Sequence, residues 1–239
     1  MAERRLIVAM GGGGFSMQPD NGLLDDLVVG LARERSGRER PRVCFVPTAG
    51  GDPDASLLDF YVAFTGRAEA SHLGLFNRTV SDIDSFLLDQ DAIYVGGGNT
   101  ANMLAIWRLH GVDLAMRAAW EAGVVMAGMS AGAICWFEAC TTDSFGPDLL
   151  PLRDGLAFLQ GSFCPHYDGE AQRRPLFNRL IAEGDLPAGY GVDDGAALVF
   201  DGTELREAVS SRPGAGAYRV EVSGGIARET PLPIRQLGG

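Results

Sequence analysis

A chain of 239 residues with 20 basic and 31 acidic side chains, formal charge −11, suits one α/β domain with a large buried core and argues against nucleic acid or an anionic membrane surface as its main partner. All 20 basic residues are arginine, which excludes a Ser-Lys dyad, a Schiff-base lysine and a P-loop lysine. No stretch approaches the roughly 20 apolar residues that a membrane span needs.

Residues 6–10 (LIVAM), preceded by Arg4 and Arg5, imitate the start of an export signal, but the apolar run stops after five residues at the glycines of 11–14. They predict a first strand and not an export signal, and cysteines that read as reduced core residues predict a cytoplasmic protein. Amphipathic segments then alternate with short β-rich runs: a helix over 23–35, a strand over 43–47, a helix over 57–64, a strand over 72–76 and a helix over 83–88. A strand over 92–95, helices over 102–109 and 114–122 and a strand over 124–127 complete the regular part. Continuous apolar strands separated by helices predict a doubly wound, mostly parallel sheet covered on both faces. Ligands in such sheets collect at the carboxyl ends of the strands. Three of those ends are rich in glycine or turn residues: 11–14, 96–99 and the segment around Ser130.

After the segment around Ser130 the pattern loosens. Residues 141–153 carry turn residues and no clear period, 156–164 predict a strand, 171–183 a helix and 189–200 a strand region. Residues 204–210 and 218–222 predict a small antiparallel C-terminal edge, and 214–216 a hairpin turn. There is no internal repeat or linker, so the expected organisation is a single domain over 1–239. Cys44, Cys135, Cys140 and Cys164 show no C-x-x-C spacing and sit mostly in apolar surroundings, as reduced core residues and not zinc ligands.

The most informative segment is 124–133 (VVMAGMSAGA), which sets a serine between two glycines directly after an apolar run. It reads as a nucleophile elbow, in which a strand turns sharply into a helix and only small neighbours tolerate the strained tip. Gly128 and Gly132 supply the room, Ser130 is the candidate nucleophile, and the Ala131 N–H lies where an oxyanion would develop.

A serine needs a base, and the chain has three histidines. His110 precedes Gly111 at a helix end, where a cation offsets the helix dipole, and His72 opens a strand on the amino side of the sheet. His166 follows directly on a strand, on the same edge as Ser130, and is the candidate base. The acid that orients it has five downstream candidates: Asp143, Asp168, Glu170, Asp193 and Asp194. The paired Asp193 and Asp194 precede an apolar stretch, so one can point inward while the other stays solvated, unless both are plain turn residues. Residues 96–99 lack the spacing of a phosphate cradle, and Gly98 is the candidate for the second oxyanion donor. The glycines of 11–14 lack the dinucleotide fingerprint, so no cofactor is expected.

With YVGGGNT at 94–100, GMSAGA at 128–133, PHY at 165–167 and GVDDG at 191–195, the chain resembles the S51 serine peptidases, the family of peptidase E (aspartyl dipeptidase) and the cyanophycinases. The pieces occur in family order over most of the chain. The resemblance implies a class I glutamine-amidotransferase-like, flavodoxin-like sandwich and a Ser-His-Glu or Ser-His-Asp triad with no metal or organic cofactor. Ser130 matches the nucleophile and His166 the base. Several members carry Glu at the position of Asp194, whereas peptidase E has an Asp shortly after the nucleophile, whose nearest counterpart is Asp143; Asp194 ranks above Asp143.

The expected activity is hydrolysis of small peptides; the resemblance to peptidase E implies an N-terminal Asp preference, which would call for a cationic pocket. Asn99, Arg173 and Arg174 are the candidate substrate-binding residues, unless the two arginines form a plain solvated helix face. Competing readings are a cyanophycinase-like hydrolase of β-aspartyl-arginine links and a catalytically silent binding protein of the same fold. A glutamine amidotransferase is disfavoured, because that chemistry in this fold places cysteine at the elbow. The expected partners are a small peptide and, in a homodimer, a second copy of the chain.

Overall fold

The computed structural model describes residues 4–238. In chain order it runs β1 (Leu6–Met10), α1 (Leu23–Ser36), β2 (Arg42–Val46), α2 (Asp54–Phe64), β3 (Glu69–His72), α3 (Ile83–Leu88), β4 (Ala92–Val95), α4 (Thr100–His110), α5 (Val112–Glu121), β5 (Val125–Met129) and α6 (Ala131–Ile134). The second half comprises β6 (Phe137–Thr142), β7 (Leu150–Leu152), β8 (Leu159–Cys164), α7 (Arg173–Glu183), β9 (Gly189–Val192), β10 (Ala196–Asp201), β11 (Glu204–Ser210), β12 (Ala217–Ser223), β13 (Ile226–Pro231) and β14 (Ile234–Gln236).

The architecture is mixed α/β with two sheets. The larger has the order β14-β11-β10-β1-β5-β4-β2-β3, and its strands β1, β5, β4, β2 and β3 run parallel. Alternate residues of β1 point to opposite faces, so Ile7 and Ala9 enter one core while Leu6, Val8 and Met10 enter another. Both faces of β1, β2, β4 and β5 are buried, which is why these strands read as near-continuous apolar runs, whereas β3 at the sheet edge is polar and partly exposed. The second core holds α1 through Leu24 and Val28 and α2 through Phe60 and Phe64. The first takes Trp107 of α4, Trp120 of α5 and, from the smaller sheet, Phe137 and Phe163.

That smaller sheet, β13-β12-β9-β8-β6-β7, corrects the expectation of a minor C-terminal edge. Its centre, β6-β8-β9, is parallel, and α7 covers its far side through Phe177, Leu180 and Ile181. Its strands mix polar and apolar residues and several are partly exposed, so their period is weak. The strand region 189–200 is two strands in different sheets, β9 and β10, separated by the corner Asp193-Asp194-Gly195. Likewise β11 and β12 belong to different sheets, so 214–216 is a crossover and not a hairpin turn. The predicted strand 72–76 is displaced to Glu69–His72. Asp52 Oδ2 accepts from the N–H groups of Leu75 (2.5 Å) and Phe76 (2.9 Å), which draws the chain out of the sheet.

Met10 of β1 stands in register with Met129 of β5, and Val95 of β4 with Gly128, so the three carboxyl ends open together. No helix among the described residues is long and apolar enough to cross a membrane.

Candidate active site

At the end of β5 the chain reverses through Ser130, with φ 52° and ψ −118°, into the single turn of α6. A non-glycine residue in such a conformation costs on the order of 1–3 kcal/mol and persists only where its surroundings over-determine it. Here the surroundings are glycines. A Cβ on Gly128 would lie 2.3 Å from the Gly132 carbonyl oxygen, and one on Gly132 would lie 2.2 Å from that of Val95. The Ser130 carbonyl accepts from the N–H groups of Ala133 and Ile134, both at 2.9 Å. The Ala131 N–H at the start of the turn has no partner among the described residues.

His166 lies two residues beyond β8, also at positive φ (51°). Its N–H donates to the Gly11 carbonyl (3.1 Å) and its carbonyl accepts from the Glu170 N–H (3.1 Å). Its Nδ1 lies 2.6 Å from Asp194 Oδ1. A carboxylate is acceptor-only, so Nδ1 carries the proton and donates, leaving Nε2 as the basic nitrogen. Asp194 is held in turn by its neighbours: its N–H donates to Asp168 Oδ1 (2.9 Å), Arg212 Nε donates to its carbonyl (2.7 Å), and Arg212 also pairs with Asp168.

The glycines of 11–14 find their use here. A Cβ on Gly12 would lie 2.0 Å from Asp194 Oδ1 and 2.9 Å from His166 Nδ1, and one on Gly169 would lie 2.3 Å from Asp194 Oδ2. Gly12, from the first glycine run, and Gly169 therefore leave the space in which the imidazole meets the carboxylate. The sequence placed this run at a strand's carboxyl end facing the crevice and without a cofactor fingerprint, but assigned it no part in the contact between base and acid.

Ser130 and His166 line one cavity of about 220 Å³ together with Gly96, Gly97 and Gly98. Ser130 Oγ makes no hydrogen bond among the described residues, and such contacts are often long before substrate arrives. A Cβ on Gly97 would lie 3.3 Å from Ser130 Cβ, while Gly98, at φ 140°, packs so closely that a Cβ would meet the Ala49 carbonyl oxygen at 2.2 Å. Neither the Gly97 nor the Gly98 N–H has a partner among the described residues, so this loop presents two free donors beside the serine.

The other predicted residues lie elsewhere. Asp143 is exposed in the turn after β6 and does not bond His166. Asp193 is buried, not solvated; its Oδ2 accepts from the Gly216 N–H (2.8 Å), and burial raises its carboxyl pKa. Asn99 caps α4, its side chain accepting from the Asn102 N–H (2.8 Å) and donating to the Ser144 carbonyl (3.0 Å), so it is engaged away from the cavity. Arg173 is buried against Glu170 (2.9 Å), and Arg174 pairs with Glu229 on β13. Neither lines the cavity, which corrects the expectation that they form a cationic pocket. His72 bonds the Tyr61 hydroxyl (2.7 Å), and His110 ends α4 before Gly111 at φ 73°. All four cysteines are free and buried; burial pushes the Cys44 and Cys164 thiols up to about 12, and that of Cys135, directly after α6, well above its usual range. Among the described residues no group of three or more His, Cys, Asp or Glu is arranged to hold a metal ion.

The family model described as Peptidase family S51 matches residues 7–208. The uncharacterized peptidase YgaJ of Bacillus subtilis (strain 168) is 53% identical over 233 residues, covering 97% of this chain and 99% of YgaJ. Among solved structures, a peptidase from an acI-B1 Actinobacterium aligns with a TM-score of 0.65 at 16% identity, over 100% of this chain and 97% of that one. A protein from Listeria monocytogenes EGD-e, provisionally assigned as peptidase E, aligns with a TM-score of 0.59 at 20% identity, over 84% of this chain and 96% of its own. At such identities the two structures establish the fold alone.

Proposed function

The chain belongs to peptidase family S51, and on that premise we propose that it is a serine peptidase that hydrolyses small peptides through an acyl-enzyme on Ser130. The observation that carries this reading is the 2.6 Å contact of His166 Nδ1 with Asp194 Oδ1, at a cavity lined by both His166 and Ser130. Ser130 Oγ attacks the scissile carbonyl carbon while His166 Nε2 takes its proton. Asp194 holds the imidazole in the right tautomer and stabilises the imidazolium. The Ala131 N–H and the N–H groups of the 97–98 loop donate to the oxyanion, the loop's share resting with Gly98 as the sequence motif suggests. His166 then protonates the leaving amine, and water, deprotonated by the same nitrogen, releases the acid.

An N-terminal Asp preference would need a cation at the cavity, and Arg173 and Arg174 face Glu170 and Glu229 instead. Reaction with a fluorophosphonate, scored beside dipeptide hydrolysis, tests the proposal. Ser130→Ala should abolish labelling and lower turnover by about 10³-fold or more with an unchanged unfolding midpoint. Unchanged turnover in that variant would refute the assignment.

A further inference from the structure

We infer that the cavity beside Ser130 selects an uncharged, apolar side chain flanking the scissile bond and rejects acidic and basic ones there. The inference rests on the peptidase reading and names its substrate class. The walls are Phe15, Phe45, Pro47, Pro53 and Met129. They are also stiff. Phe15 and Phe45 meet edge to face with centroids 5.4 Å apart, Phe45 stacks on Phe60 at 5.0 Å, and Phe15 abuts Tyr94 at 5.3 Å. All four rings are almost fully buried, so the aromatic part of the wall cannot move aside to admit a solvated charge, and Met17 at the rim is apolar as well.

The polar lining residues are the serines Ser16 and Ser56 besides Ser130, and among the described residues His166 is the only titratable one. Ser16 Oγ already donates to Met129 Sδ (2.8 Å). A substrate carboxylate in this cavity would find no cation, because no arginine lines it and Arg67, in the adjoining cavity behind Phe15 and Ser16, is paired with Asp26. The chain's charge of −11 adds repulsion at longer range. A basic side chain fares no better, since Asp25 and Asp59 line a different cavity on the far side of Phe15 and Ser16. Burying an unpaired charge is the most expensive form of desolvation, whereas a Leu or Phe side chain gains by leaving water. A volume of about 220 Å³ lies below the roughly 300–1,000 Å³ of pockets for drug-sized ligands and suits one side chain with its backbone.

The experiment is a matrix of dipeptides and tripeptides carrying Leu, Phe, Asp or Arg at each position flanking the cleaved bond, with fluorophosphonate labelling of the same preparation. At one of the two positions Leu or Phe should exceed Asp and Arg by about ten-fold or more in kcat/KM. Ser56→Arg, a change on the half-buried start of α2, should raise the Asp-to-Leu ratio there by about ten-fold while labelling of Ser130 persists. Labelling without an apolar preference at either position overturns the inference alone. Failure of both labelling and hydrolysis overturns the peptidase reading and the inference with it.

Discussion

Gly12→Ala tests the geometry of the site without touching any of its chemical groups. The added Cβ would stand 2.0 Å from Asp194 Oδ1 and 2.9 Å from His166 Nδ1, and real Cβ atoms essentially never approach another heavy atom within 3.0 Å. The carboxylate would have to retreat by about 1 Å, a displacement of the kind that costs on the order of 100-fold in rate. Its retreat is blocked: Gly169 lies against Oδ2 so closely that a Cβ there would fall at 2.3 Å, and Asp168 and Arg212 hold the Asp194 backbone at 2.9 and 2.7 Å. The 2.6 Å contact with His166 therefore breaks, and the imidazole loses its orienting acid. In a Ser-His-Asp triad that loss costs about 10⁴-fold in kcat. We expect kcat to fall by about 10²–10⁴-fold, equivalent to about 3–5 kcal/mol of transition-state stabilisation, with KM little changed. Steady-state hydrolysis of a Leu-containing dipeptide, read beside circular dichroism and thermal unfolding, gives the answer. Gly30→Ala is the matched control, since its Cβ meets nothing within 4 Å and it lies inside α1. It should keep full activity and gain up to about 1 kcal/mol of stability. A folded Gly12→Ala protein within about three-fold of wild-type kcat would refute the reasoning.

Asp194→Asn should lower kcat by about 10³–10⁴-fold, whereas Asp143→Asn, in an exposed turn, should leave it within about two-fold; the reverse pattern in a kinetic comparison would move the acid to Asp143. Asp25 is 1% exposed, and burial raises its carboxyl from the ordinary 3.8 to about 6. The folded chain thus holds this proton more tightly than the unfolded one. The contribution of Asp25 to stability is greatest below pH 3.8, falls as pH rises toward about 6 and ends about 3 kcal/mol lower above it. Urea unfolding at several pH values should show Asp25→Asn gaining on wild type across that window, and a parallel pH dependence of the two proteins would contradict the assignment.

The parallel strands and the helices between them were legible because their signals are local. A strand buried on both faces must be apolar throughout, as in LIVAM, and an amphipathic helix declares its period within a few turns. The smaller sheet was legible only in part: segments over β8, β9 and β12 read as strands, but β6, β7 and β13 are partly polar or exposed, and the pairing of all six into one sheet depends on partners far along the chain. The elbow was legible for a similar reason. A strained serine needs small neighbours at fixed offsets, and Gly128 and Gly132 stand at those offsets.

Sequence by itself determined membership of family S51, the alternation that builds the larger sheet, and Ser130 and His166 as candidate nucleophile and base. Tertiary structure decided which carboxylate meets the imidazole. The chain passes from one sheet to the other between Val192 and Ala196, and that corner turns Asp193 toward the Gly216 N–H and Asp194 toward His166. Adjacent residues in a sharp corner diverge by an angle that no spacing rule specifies. Tertiary structure also removed Arg173 and Arg174 from the cavity and surrounded Ser130 with Phe15, Phe45 and Pro53, residues about 75 to 115 positions away. A pocket wall is a property of packing between distant segments, so it becomes readable only once those segments are folded together.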